Sequence, residues 1–70
     1  SGITASEAAQ KTLGRVGDAE VLRVKPGKMG GVLVWEVFYR RPENGGSRHY
    51  YDYYDFKSGE RIDTWTLGVR

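Results

Sequence analysis

At Gly17 the hydrophobic period of the chain changes, and that change restricts the fold more than any other feature of the sequence. Before it, Ala5, Ala9, Leu13 and Val16 recur at helical spacing, while Glu7, Lys11 and Arg15 follow one another at i, i+4 steps on a polar face. Thr4-Ala5-Ser6-Glu7 has the form of a capping box, in which the Thr4 hydroxyl and the Glu7 carboxylate each accept the other's backbone N–H, and Ile3 and Ala8 fall at the staple positions. This pattern predicts a helix from about Ala5 to Arg15, stopped by Gly17.

From Ala19 onward the period is two. Glu20 to Lys25 is expected as a first strand, stopped by Pro26-Gly27, with Gly30-Gly31 completing the turn. Val32 to Arg40 is a longer strand of branched and aromatic residues, followed by the loop composition of Pro42 to Gly46. His49 to Phe56 and Glu60 to about Thr66 form a hairpin around Lys57-Ser58-Gly59. The predicted class is α+β, one N-terminal helix packed on a four-stranded antiparallel sheet in the order α-β-β-β-β. A three-residue loop sets Asp55 opposite Arg61, Tyr54 opposite Ile62, Tyr53 opposite Asp63, Asp52 opposite Thr64 and Tyr51 opposite Trp65.

The faces follow from alternation. Leu33, Trp35, Val37 and Tyr39 make the cleaner apolar row of the second strand and should face the helix, with Leu22 and Val24 beside them and Tyr54, Phe56 and Ile62 from the hairpin. Asp52 falls in the same inward set. A buried carboxylate without partners destabilises a fold, so Asp52 is expected to reach the Thr64 hydroxyl across the ladder. The opposite face carries Phe38, Tyr51, Tyr53 and Trp65 among Glu36, Arg40, His49, Arg61 and Asp63. One helix cannot cover both sides, and aromatic rings mixed with arginine on an uncovered sheet have the composition of a protein interface.

Composition excludes several function classes. Seventy residues fold around one core and leave little apolar surface for a deep pocket; the expected domain spans 3–67, with Ser1-Gly2 equally consistent with a cloning remnant. There is no cysteine, hence no disulfide, thiolate metal site or thiol nucleophile. No apolar run approaches the ~20 residues of a membrane span, and any targeting segment is expected to have been removed or to lie outside this sequence. Eleven Lys and Arg against nine Asp and Glu are interspersed, not gathered into a basic stripe.

Catalytic chemistry finds no support. His49, the single histidine, lies beside Tyr50 and Tyr51, and Ser47 has no elbow motif around it. Asp52 and Asp55, three apart on a strand, point to opposite faces, and His49 with scattered carboxylates lacks metal-ligand spacing; no metal and no cofactor are expected. Gly30-Gly31 and Gly45-Gly46 are turns without phosphate-loop context. Arg40-Arg41 with Arg48 near the open aromatic face is the best case for nucleic acid, but the second helix and Gly-Phe-rich strand of the RNA-binding sheets are missing.

The order Ile3 to Ala9, Glu20 to Val24, Val34-Trp35-Glu36-Val37 and Tyr53 to Glu60 resembles a bacterial PepSY domain, over about Ile3 to Asp63. Members of that family open with a threonine- or serine-capped helix, carry an aromatic-Glu-Val strand and close with an Asp-x-x-Thr/Ser-Gly-Glu hairpin. The departures here are the His49-Tyr50-Tyr51-Asp52-Tyr53-Tyr54 strand, usually alternating aliphatic, and Arg61 at a commonly aliphatic position. The resemblance implies a cystatin-like fold, a location outside the cytoplasm or at the cell envelope, and a proposed role in inhibiting or regulating peptidases.

The expectation is therefore a non-enzymatic protein-interaction or regulatory module, with Phe38, Arg40, Tyr51, Tyr53 and Trp65 as contact residues through a sheet face or edge. Its partner would be a peptidase, an adjoining domain of its own polypeptide or a second copy. The alternatives are a purely structural accessory domain of a larger envelope protein and, further off, a nucleic-acid binder.

Overall fold

A computed structural model describes residues 1–67. Helix α1 (Ala5–Val16) is followed by strands β1 (Glu20–Met29), β2 (Val32–Glu43), β3 (Gly46–Asp55) and β4 (Arg61–Thr66), which form one antiparallel meander in chain order. This is the expected α+β architecture. The capping box forms: Thr4 N–H donates to Glu7 Oε1 at 2.8 Å and Glu7 N–H to Thr4 Oγ1 at 3.1 Å. At the other end Gly17, with φ of 78°, donates its N–H to Leu13 O at 2.9 Å, and Arg41 reaches from β2 to the Val16 carbonyl at 3.1 Å.

The strands run further than their prolines suggested. β1 passes through Pro26-Gly27 to a two-residue turn at Gly30-Gly31, and β2 passes through Pro42 to a two-residue turn at Asn44-Gly45, whose residues all have positive φ. With these turns, Pro26–Trp35 and Pro42–Ser47 are non-hydrogen-bonded pairs, so each proline nitrogen points away from the partner strand. Pro26 then faces the open edge of the sheet, and Pro42 lies past the last β1 pair, Glu20–Arg40. Neither removes a ladder bond.

Two bulges correct the expected register. Leu22 is an extra residue between the pairs Val21–Tyr39 and Arg23–Phe38, so Val21 and Val24 pack on the core and Leu22 is 40% exposed. The last loop is one residue longer than expected, closed by Asp55 N–H to Glu60 O at 2.8 Å, and β4 compensates with a bulge at Ile62. Tyr54 accordingly faces Arg61, not Ile62, which is 44% exposed, and the expected Asp55–Arg61 pair is absent. The Asp55 carboxylate accepts instead from Lys57 N–H and Ser58 N–H, at 2.8 and 2.9 Å. Beyond the bulge the expected pairs hold: Tyr53–Asp63, Asp52–Thr64 and Tyr51–Trp65.

The core lies between α1 and the sheet. Ala8, Val37, Tyr39 and Tyr54 are buried, with Ile3, Val16, Val21, Val24, Trp35 and Tyr50 packed against them. The buried side of α1 is Ala8 and Thr12, rotated from the expected Ala5–Ala9–Leu13 stripe. Trp35 donates its Nε1–H to Ile3 O at 3.0 Å and stacks on Phe56 at 5.1 Å, which marks the end of the helix-covered area. Leu33 lies one row beyond it and is half exposed, whereas Val34 on the other face is buried where it pairs with Gly27 and Asp55.

Replacing the cap tests the helix boundary. Thr4→Ala removes one acceptor from the first turn and is expected to lower unfolding stability by about 1 kcal/mol in urea titration, whereas Ser6→Ala, one position into the exposed helix, should change it by no more than about 0.5 kcal/mol.

Candidate functional site

Two constellations carry polar or aromatic chemistry, on opposite faces of the sheet. The first is centred on Asp52, fully buried between α1 and the sheet. Its carboxylate accepts from Arg15 at 2.7 Å, Thr12 Oγ1 at 2.8 Å, Tyr39 OH at 2.9 Å, Tyr54 OH at 3.2 Å and, as expected, Thr64 Oγ1 at 2.7 Å. Burial alone would raise the Asp52 pKa; the hydrogen bonds from Arg15, Thr64, Thr12 and Tyr39 outweigh it and hold the carboxyl below its ordinary value. Tyr39 is pushed above the usual phenol range by burial first and by its bond to Asp52 second, and burial raises Tyr54 as well. The Asp52 hydrogen bond raises Arg15 against the opposing effect of its own burial.

This constellation is structural. Every acceptor position on Asp52 is filled by the chain's own donors, and two surface depressions, of about 280 and 270 Å³, are lined by none of its members. Sequence reasoning found its centre and one partner but placed Arg15 on the solvent side of α1 and passed over Thr12. The signal was present as Thr12 and Arg15 at i, i+3 next to the buried Ala8.

The second constellation is the outer face. Phe38 stacks on His49 at 5.4 Å and packs at a tilt against Tyr51 at 4.9 Å, and Tyr51 stacks on Tyr53 at 6.0 Å, which gives a continuous file across β2 and β3. Arg23 of β1 lies over the Phe38 ring at 5.0 Å and donates to Tyr51 OH at 3.3 Å. Trp65 pairs with Tyr51 from β4, is 58% exposed, and donates its indole N–H to Asp63 at 3.2 Å. Burial, then the neighbouring Glu36, Tyr51 and Asp63, raises the Tyr53 pKa.

Of the expected contact residues, Phe38, Tyr51, Tyr53 and Trp65 are therefore gathered on one face opposite the helix. Arg40 shares the face one row further along, tied to Glu20 by Nε–Oε1 at 3.1 Å. Arg23 belongs with them and was passed over, although alternation with the inward Val24 already turns it to this face. His49 is half-buried against the Phe38 ring. Among the described residues no three His, Cys, Asp or Glu side chains converge to hold a metal, and no helix is long and apolar enough to cross a membrane.

Each sheet edge is interrupted at one outward position. The outward positions of β1 include Pro26, which has no N–H, beside Val24 and Lys28. On β4 the outward N–H of Thr64 is taken by Asp63 Oδ1 at 2.8 Å. Each edge therefore has one outward position without a free N–H, Pro26 on β1 and Thr64 on β4.

Comparison with known families gives one result: residues 2–65 match the family described as the peptidase propeptide and YPEB domain, PepSY. No curated protein and no solved structure gave a significant match.

The Asp52 constellation yields a pH dependence. An unfolded chain takes up this proton near pH 4 and the folded chain only at lower pH, so the unfolded state binds more protons between the two values. Stability from Asp52 is thus fully present above about pH 4 and is lost as pH falls below it. Asp52→Asn is expected to cost about 3 kcal/mol at pH 7 and to flatten the acid limb of a urea-midpoint profile between pH 4 and 2 relative to the parent chain.

Proposed function

The chain belongs to the PepSY family, and from that premise we propose that it is a non-enzymatic interaction module, which presents the outer face of its sheet to a protein: a peptidase that it regulates, or an adjoining domain of its own polypeptide, at the bacterial cell envelope. One observation carries this reading. The Arg23–Phe38–Tyr51–Tyr53 file, with Trp65 beside it, lies on a face that no described element of the chain covers.

Stacking fixes these rings before any partner arrives. Immobilising a free side chain on binding costs about 0.5–1.5 kcal/mol, and rings already held by one another have little of that freedom left to lose. Aromatic residues and arginine are also the side chains that dominate binding energies at protein interfaces. The charges around the file are mixed, with Glu36 and Asp63 among the arginines, so the face lacks the one-sided potential that phosphate backbones select.

Titration of a thermolysin-like metallopeptidase into the isotopically labelled chain tests the proposal. Amide shifts or protection are expected at Arg23, Phe38, Tyr53 and Trp65, with Tyr53→Ala plus Trp65→Ala weakening binding by about 30-fold or more. Gln10→Ala, on the exposed side of α1, is expected to bind as the parent does. Undiminished binding by the double variant, with protection moved to α1, would remove the outer face as the contact surface; a double variant that folds normally and a parent that binds no peptidase would leave the structural accessory domain as the better reading.

A further inference from the structure

The outer face has a symmetry property that its registers reveal. Across the four strands, one row reads Arg23, Phe38, Tyr51, Trp65 and the next begins with Lys25 and ends with Asp63. A two-fold axis in the plane of a face-to-face contact and parallel to the strands keeps each row opposite itself and reverses strand order, so β1 of one copy meets β4 of the other. Arg23 then meets Trp65 of a second copy, Phe38 meets Tyr51, Lys25 meets Asp63, and Glu36 meets Tyr53, whose hydroxyl can donate to it, each contact occurring twice. A cation lands on an indole, aromatic rings on aromatic rings, and an ammonium on a carboxylate.

The other in-plane axis, perpendicular to the strands, brings β1 against β1 and, where the aromatic rows overlap fully, sets Arg23 against Arg23 or Lys25; bringing Arg23 onto Glu20 needs a shift that carries the Lys25 and Asp63 row past the start of β1. Like charges at a closing interface disfavour it. The face is therefore self-complementary in one orientation, that of an aligned two-sheet sandwich with the helices outermost.

We infer that this protein self-associates as a two-fold dimer through the outer sheet face, with Lys25 of each copy paired to Asp63 of the other. This rests on the outer face being the interaction surface and names a second copy as an occupant of it. A dimer of this form hides the aromatic file until another partner competes for it, so peptidase or domain binding and dimer dissociation become linked.

Charge exchange between two variants tests the geometry. Sedimentation equilibrium of the parent chain is expected to show a concentration-dependent monomer–dimer equilibrium. Lys25→Glu alone and Asp63→Lys alone each create two repulsive contacts and should raise the dimer dissociation constant on the order of tenfold or more. An equimolar mixture of the two is expected to recover dimer. In the mixed pair the carboxylate introduced by Lys25→Glu meets the ammonium introduced by Asp63→Lys at one contact, and the unaltered Asp63 and Lys25 meet at the other. Recovery in the mixture is the signature that lost stability cannot mimic. A parent chain that stays monomeric at millimolar concentration, or a mixture no more associated than its components, overturns the inference. If Tyr53→Ala plus Trp65→Ala still abolishes peptidase binding in that case, the surface stands and only its pairing with itself falls. A parent that dimerises, recovers dimer in the mixture and binds no peptidase supports the self-pairing and overturns the peptidase reading.

Discussion

A single buried carboxylate fixes how the helix and the sheet meet. Asp52 has no exposure, and it holds donors from α1, β2, β3 and β4 at once: Thr12 and Arg15, Tyr39, Tyr54 and Thr64. A charge out of water is tolerated only when its partners are all in place, and removing one leaves the others with an uncompensated ion. The network therefore penalises any arrangement in which α1 slides along the sheet or β3 slips by one residue. A slip by one would turn Asp52 to solvent and carry Tyr51 and Tyr53 into the core. The polar centre of the fold and the aromatic outer face are two results of the same register.

Local chemistry was legible in the sequence wherever one residue type has one use. Thr4 and Glu7 announced the helix start, Gly17 its stop, and the alternation from Ala19 the meander. The pairing of Tyr51 with Trp65 and of Asp52 with Thr64 followed from counting outward from Gly59. Those pairs came out right although the loop is one residue longer than counted, because the bulge at Ile62 restores the count. Bulges are what alternation cannot show: Leu22 and Ile62 look like inward aliphatic residues and are displaced only because their strands must stay in register with β2 and β3. Pro26 and Pro42 were read as stops since a proline nitrogen cannot donate. Whether that matters depends on which side of the strand faces a neighbour, a property of the sheet and not of the residue.

Arg15 illustrates a different gap. On a helical wheel it extends the polar line of Glu7 and Lys11, and nothing in the helix alone separates it from them. Its long side chain lets it stand at the rim of the core, more than a third exposed, and still place its guanidinium on Asp52. Only the opposite strand explains it. Arg23 differs: alternation with Val24 turns it outward and the count from Gly30-Gly31 sets it opposite Phe38, so its place over that ring was within reach of the sequence.

A domain of this size cannot bury both sides of a four-stranded sheet with one short helix, so the residues on the uncovered side must be stable in water and still resist random association. This chain meets the first need by stacking its rings, which hides ring faces against each other and beneath Arg23. It meets the second by interleaving charges and by obstructing both edges, with Pro26 on one and the Asp63–Thr64 contact on the other. The interrupted edges make strand addition costlier at Pro26 and Thr64, while the face keeps Trp65 open to solvent. Any partner that covers this face removes apolar surface from water without first having to order it. Because such a partner would bind the folded chain and not the unfolded one, its binding would also add to the stability of the domain.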